Sequence, residues 1–240
     1  MKLNPTSPSS FAAFSLLLTG TAPAAFITHV LPGNSDFDGW DDLTATNPQV
    51  AGASTAFPTI GTVTSPWPEA IISHMPGSGD ATFNKSAGGG YPASANIYTG
   101  FATGGSFVIT DTSPVTDLET VIVQLDIGQG SGDFLAGDPT LTINGGEVIP
   151  LFASGVTGTG PRPGFAAPIE VGSLAYQWDL RGVGPITAFE IAFTTDGTSS
   201  TIWGARLDQG DRFTAVPVPE PSSALFLSLA GLGLLRRKRA

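Results

Sequence analysis

Apolar and polar residues alternate with a period of two through most of the second half of the chain: "TVIVQLDI" (120–127), "TLTI" (140–143), "AYQWDLR" (175–181), "ITAFEIAF" (186–193) and "TIWGARLD" (201–208). Alternation of this kind sends successive side chains to opposite faces and predicts β-strands. Between these runs lie "GQGSGD" (128–133), "NGGE" (144–147), "RGVGP" (181–185) and "TDGTSS" (195–200), rich in residues that accept turn geometry. The first half is less regular. There "ANIYTGF" (95–101) and "GSFVITD" (105–111) predict strands, and "SPWPEAIISHMPGSGD" (65–80) predicts a long loop around one. No segment between the termini keeps a 3.6-residue apolar period for three turns. The pattern therefore predicts an all-β domain, an antiparallel β-sandwich of jelly-roll type whose last three strands, joined by short turns, pack together as one sheet.

Two terminal segments stand apart from this pattern. Met1 and Lys2 are followed by a polar stretch, an apolar run "FAAFSLLL" (11–18) and the small residues Ala22, Pro23 and Ala24, the order of a secretory signal peptide over residues 1–24. At the other end, residues 224–235 are apolar apart from Ser228, and Arg236, Arg237, Lys238 and Arg239 follow at once. Those twelve residues as a helix reach about 18 Å, against a hydrocarbon core of about 30 Å. The span is marginal, which fits a transient sorting segment better than a lasting anchor. The basic cluster is expected to stay on the cytoplasmic side.

Val218-Pro219-Glu220-Pro221, the apolar run and the terminal Arg/Lys cluster together resemble the PEP-CTERM sorting tail of exported proteins in Gram-negative, biofilm-forming bacteria. The resemblance implies a short stay in the inner membrane, recognition by an exosortase-type membrane protease or transpeptidase that cleaves near Pro219-Glu220-Pro221, and delivery to the cell surface or an exopolysaccharide matrix. The alternating body also resembles the jelly-roll bodies such tails often follow. The chain then divides into a signal peptide (1–24), a β-sandwich domain (25–215), a linker with the PEP motif (216–221), and an apolar helix with a basic tail (222–240). The tail is an address and assigns no activity to the body.

Composition narrows the activity. The chain has 240 residues and a formal net charge of -10 with no cysteine, so disulfides and thiol chemistry are excluded. Outside the two terminal segments the only cations are Lys85, Arg162, Arg181, Arg206 and Arg212, too few for a nucleic-acid partner. His29 and His74 are the only histidines, and no G-x-S-x-G elbow occurs, so no catalytic residues are assigned and no enzymatic activity is expected. No cofactor is required by this reading.

Two segments carry candidate binding chemistry. In "NSDFDGWDD", Asn34, Asp36, Asp38 and Asp42 offer oxygens at positions 1, 3, 5 and 9 with Gly39 at position 6, like the front of a calcium loop, although Ala45 occupies the place of the closing glutamate. The competing reading is an acidic turn into the first strand with Phe37 and Trp40 as core anchors. Among the four tryptophans, Trp178 and Trp203 lie in alternating strands and are expected in the core. Trp67, in the loop between Pro66 and Pro68, is the candidate platform for a sugar ring. Two functional readings follow: a non-enzymatic surface or matrix protein associated with exopolysaccharide, and a lectin-like carbohydrate-binding module with a structural calcium ion.

Overall fold

The computed structural model describes residues 26–41, 43, 66–67, 69–93, 96–100, 104–162 and 168–216. The signal segment, Asp42, the sorting motif Val218–Pro221 and the basic cluster Arg236–Arg239 lie outside the described residues.

Within the described residues the secondary structure is all β. The strands are β1 (Ser35–Trp40), β2 (Ile71–Ile72), β3 (Thr82–Gly88), β4 (Tyr91–Pro92), β5 (Ile97–Tyr98), β6 (Gly105–Asp111), β7 (Thr120–Gly128), β8 (Thr140–Ile143), β9 (Glu147–Ile149), β10 (Leu151–Arg162), β11 (Ile169–Asp179), β12 (Phe189–Thr194) and β13 (Thr201–Gly210). They form two antiparallel sheets. The larger runs β10-β11-β7-β13-β5-β4 with β1 also on β13, and the smaller runs β2-β3-β6-β12-β8-β9.

The inner faces of both sheets feed one buried cluster. From the larger sheet come Val121, Val123, Leu125, Ile127, Trp178 and Leu207, the odd-numbered apolar positions of "TVIVQLDI" among them. From the smaller come Phe83, Phe107, Ile109, Ile191 and Phe193. Phe83, Phe107 and Phe193 stack at 5.6 to 6.1 Å between ring centroids, a spacing at which aromatic pairs add stability beyond their buried area.

Two sequence expectations are corrected by the topology. The last three strands do not share a sheet: β11 and β13 belong to the larger sheet and flank β7, whereas β12 crosses to the smaller one between β6 and β8. The 180–188 and 195–200 segments bridge the two layers. β10, absent from the alternation, is a twelve-residue edge strand. Its glycines, small polar residues and two register shifts against β11 blur the period and blunt an edge that would otherwise recruit another chain.

Candidate functional site

β7 is buried along its whole length, so the outer face of the larger sheet is covered as well as the inner one. That outer face carries polar side chains: Gln124 and Asp126 on β7, Ser173 and Gln177 on β11, and Arg206 and Asp208 on β13, all buried. Buried polar groups need partners, and two extended chain segments supply many of them.

The first segment leads from Phe26 into β1. The Ile27 N–H donates to Gln124 Oε1 at 2.8 Å, and Gln124 Nε2 donates to the Ile27 carbonyl at 2.7 Å. The ring of Phe26 lies against Gly204, where a β-carbon would come within 2.9 Å of it. At the far end, Asn34 donates from its backbone and its side chain to Asp211 at 2.9 and 2.8 Å. His29 sits beside the bidentate Arg206–Asp208 pair, and burial lowers its pKa against the opposing pull of Asp208. The second segment leaves β13. Gln177 Nε2 donates to the Thr214 carbonyl at 2.7 Å, and the Val216 N–H donates to Gln177 Oε1 at 3.1 Å. Phe213 is held between Phe152, 5.0 Å away, and the Arg181 guanidinium, 4.3 Å above its ring. Each glutamine thus offers a passing chain one donor and one acceptor, the complement a neighbouring strand would offer.

Beyond the Gly204 end of the first segment, the same face carries an aromatic strip. Tyr91 on β4 pairs with Tyr98 on β5, which pairs with Thr201 on β13, which pairs with Gly128 on β7. Antiparallel partners share a face, so these positions form one row across four strands. Tyr91 and Tyr98 meet edge to face at 5.9 Å, and Tyr98 shares a 3.1 Å hydrogen bond with Ser199. A register shift between Ile202 and Gly204 carries Trp203 onto this face, where its Nε1 donates to Thr201 Oγ1 at 3.0 Å. Arg162 stacks 5.1 Å from the centre of the Trp203 ring and pairs with Asp126 at 3.0 Å. Gly128 makes room for the row: a β-carbon there would collide with Thr201 and lie 3.3 Å from Trp203 Nε1. Tyr91, Tyr98 and Trp203 are half-buried. Burial, and then Tyr98, push the Tyr91 phenol up, so it stays protonated and able to donate.

The segment expected to wrap a calcium ion is instead the extended strand β1, paired with β13 from Ser35 to Trp40. Period two keeps Asp36 and Asp38 on one face, whereas the Asn34 amide is taken up by Asp211. Asp38 is only 1% exposed; its Oδ1 accepts from Ser73 Oγ at 2.7 Å and the Ala81 N–H at 3.1 Å, while its Oδ2 has no hydrogen-bond partner. A β-carbon on Gly79 would lie 2.8 Å from Asp36 Oδ2 and 3.1 to 3.4 Å from the two Asp38 oxygens, so glycine leaves the space between the carboxylates open. Asp111, at the end of β6, accepts from Gln209 Nε2 at 2.6 Å and the Ser113 N–H at 2.8 Å. Burial raises the pKa of both Asp38 and Asp111; nearby carboxylates raise them further, Asp111 and Asp36 acting on Asp38, and Asp80 and Asp36 on Asp111. Among the described residues no three His, Asp or Glu side chains converge on one ion position.

The tryptophans divide differently from the sequence expectation. Trp67 is 6% exposed, packed edge-on against Phe83 and Phe107 at 6.1 and 6.0 Å, with Nε1 donating to the Gly90 carbonyl at 3.2 Å. It presents no open ring face. Trp178 and Trp40 are in the core, whereas Trp203 belongs to the outer strip. A signal for this was present: Ile202, Ala205 and Leu207 all point inward, and the three-residue step from 202 to 205 requires a bulge that turns Trp203 outward. His29 and His74 fall in separate networks, His74 against Asp41.

No protein-family model, curated protein or solved structure matches this chain.

Proposed function

We propose that this chain is an exported cell-surface or extracellular-matrix protein of a Gram-negative bacterium, with a non-enzymatic β-sandwich body of jelly-roll type. Its tail is an exosortase substrate of the PEP-CTERM kind, held briefly in the inner membrane before release to the surface or an exopolysaccharide matrix. Signal peptidase and an exosortase-type protease are its processing partners. One observation carries the reading: a Pro-Glu-Pro motif, an apolar run and a basic cluster occur in that order after a folded body whose last described residue is Val216. The all-β structure of that body, with two antiparallel sheets sharing one core, supports the sandwich.

Sorting is tested with a fluorescent fusion inserted after Ala25 in a bacterium that carries an exosortase. Replacing Arg236, Arg237, Lys238 and Arg239 with neutral residues should leave the protein unprocessed or mislocalised. Unchanged processing and surface display would overturn the reading.

The sorting role requires no cofactor. A structural calcium ion, of the kind the lectin-like reading includes, would sit between Asp36 and Asp38 beside Gly79, with water completing its shell. Calcium should then raise the melting temperature over EDTA in the wild type and not in Asp38→Asn. Coincident wild-type curves would remove the ion from the reading.

A further inference from the structure

We propose that the strip formed by Tyr91, Tyr98, Thr201 and Trp203, with the Arg162–Asp126 pair at its end, binds an uncharged polysaccharide. The inference deepens the surface role proposed above, and rests on it only for the source of the polymer. It replaces Trp67, which is enclosed in the core, with residues on the outer face.

The occupant follows from three features of the strip. The first is shape. Tyr91, Tyr98, Thr201 and Gly128 are cross-strand partners on successive strands, so the row covers three strand spacings, about 14 Å. That length suits several linked sugar rings better than one small ligand. At one end of the row, Gly128 lets Thr201 and the Trp203 indole pack close to the sheet, where a side chain would displace them.

The second is chemistry. Pyranose rings present C–H faces that stack on aromatic rings, with hydroxyls at their rims that need hydrogen-bonding groups close by. Here two phenols and an indole, all half-buried, lie beside the hydroxyl of Ser199, while Thr201 beneath them holds the indole. The rings are already oriented without a ligand: Trp203 by its hydrogen bond to Thr201 and by Arg162, Tyr98 by Ser199, and Tyr91 by its edge-to-face contact with Tyr98. Preorganised aromatic side chains lose little entropy on binding.

The third is charge. Arg162 is paired with Asp126, so the strip has no free cation to attract a polyanion, and the chain as a whole carries a formal charge of -10. An acidic polymer is repelled, and a neutral one is not.

The two chain segments that cover the rest of the outer face leave this end. The contacts of the first reach Gly204, and those of the second lie at Gln177 and Glu119. Elsewhere on the face, Gln124 and Gln177 bond the backbone of those segments, Arg206 pairs with Asp208, and Asp126 is held by Ser173 and Arg162, whereas the strip offers half-buried aromatic rings.

Affinity gel electrophoresis of the purified full-length chain in mild detergent tests this, with dextran, laminarin and hydroxyethyl cellulose as neutral probes and alginate as the anionic one. At least one neutral polymer should retard the wild type and alginate should not. Trp203→Ala should weaken binding at least tenfold, and Tyr91→Ala and Tyr98→Ala several-fold each, while Trp67→Phe leaves it unchanged. Should Trp203→Ala melt too low to fold, the two tyrosine variants carry the test. Absence of retardation by all three neutral polymers, retardation by alginate alone, or wild-type affinity in the tyrosine variants would overturn the proposal. Sorting is scored separately in cells, so failure of binding and failure of the sorting reading are distinguishable.

Discussion

Trp67→Ala separates a core role from a surface role for the tryptophan that the sequence marks as a sugar platform. Its indole is buried between Phe83 and Phe107, its Nε1 donates to the Gly90 carbonyl, and its backbone N–H donates to Lys85 at 3.1 Å. Truncation deletes the ring and leaves the backbone bond. Removing a buried aromatic ring costs about 3–5 kcal/mol, because the cavity it leaves closes only in part. Two edge-to-face contacts and a carbonyl left without its donor keep the cost of this truncation well above that of an exposed side chain. For a domain of this size each kcal/mol lowers the melting temperature by about 2–4 °C, so a loss of about 4 kcal/mol predicts a fall of roughly 8–16 °C. Urea titration followed by far-UV circular dichroism measures the free energy, and thermal scans measure the midpoint. A loss below about 1 kcal/mol, the size expected of an exposed side chain, would refute the core assignment of Trp67 and return it to the surface.

Three further outcomes are expected. Burial raises the folded-state pKa of Asp38 above its unfolded value, so the folded state holds a proton that the unfolded chain releases. The contribution of Asp38 to stability is therefore fully present below the unfolded pKa and is lost as pH rises through the folded one. In EDTA, Asp38→Asn should match the wild type near pH 4 and gain on it toward neutrality, because Asn keeps the acceptor that Ser73 and Ala81 use; a difference independent of pH would refute this. Gln177→Ala removes two hydrogen bonds that hold residues 214 and 216, each worth about 1 kcal/mol, and should speed exchange of the Val216 amide about tenfold. Gln124→Ala should do the same for Ile27 and leave Val216 alone; exchange unchanged in both variants would show that the glutamines do not hold the segments.

The alternation made the central strands legible because their inner and outer positions differ sharply in polarity. Residues 105–111 and 140–143 match β6 and β8 end to end, and 120–127 falls one residue short of β7. What escaped was set by tertiary context. β1 reads as an acidic loop because the donors that hold Asp38 in the interior, Ser73 and the Ala81 N–H, come from later in the chain and no local pattern announces them. β10 falls outside the alternating runs because an edge strand needs few apolar residues on either face. Assigning β12 to the smaller sheet depends on the path of 180–188, and turn residues mark a reversal without saying which layer receives the next strand. Trp67 reads as a surface residue for a related reason. Flanking prolines indicate a loop, but whether a loop residue faces water or folds over the core depends on Phe83 and Phe107, which come later in the chain.

The outer face of the larger sheet joins the fold to the proposed sorting role. A sheet buried on both faces would normally be apolar on both, yet this one places Gln124, Gln177, Arg206 and Asp208 on its outer side at 0–6% exposure. Their partners include the segments at either end of the described body, and those segments are held by side-chain amides, not by a strand ladder. The distinction matters for release. A strand in a ladder forms a hydrogen-bonded pair at every second residue and cannot leave without exposing the edge of its neighbour. Residues 214–216 leave by breaking the two bonds to Gln177, a net loss of about 2 kcal/mol that returns the glutamine to solvent. Val218 follows two positions after Val216, and a protease that takes an extended substrate needs residues on both sides of the scissile bond free of the body. Under the proposed sorting role, the Gln177 clamp therefore keeps the tail close to a rigid face while letting it peel away at low cost, which an eighth strand paired into the same sheet would not allow.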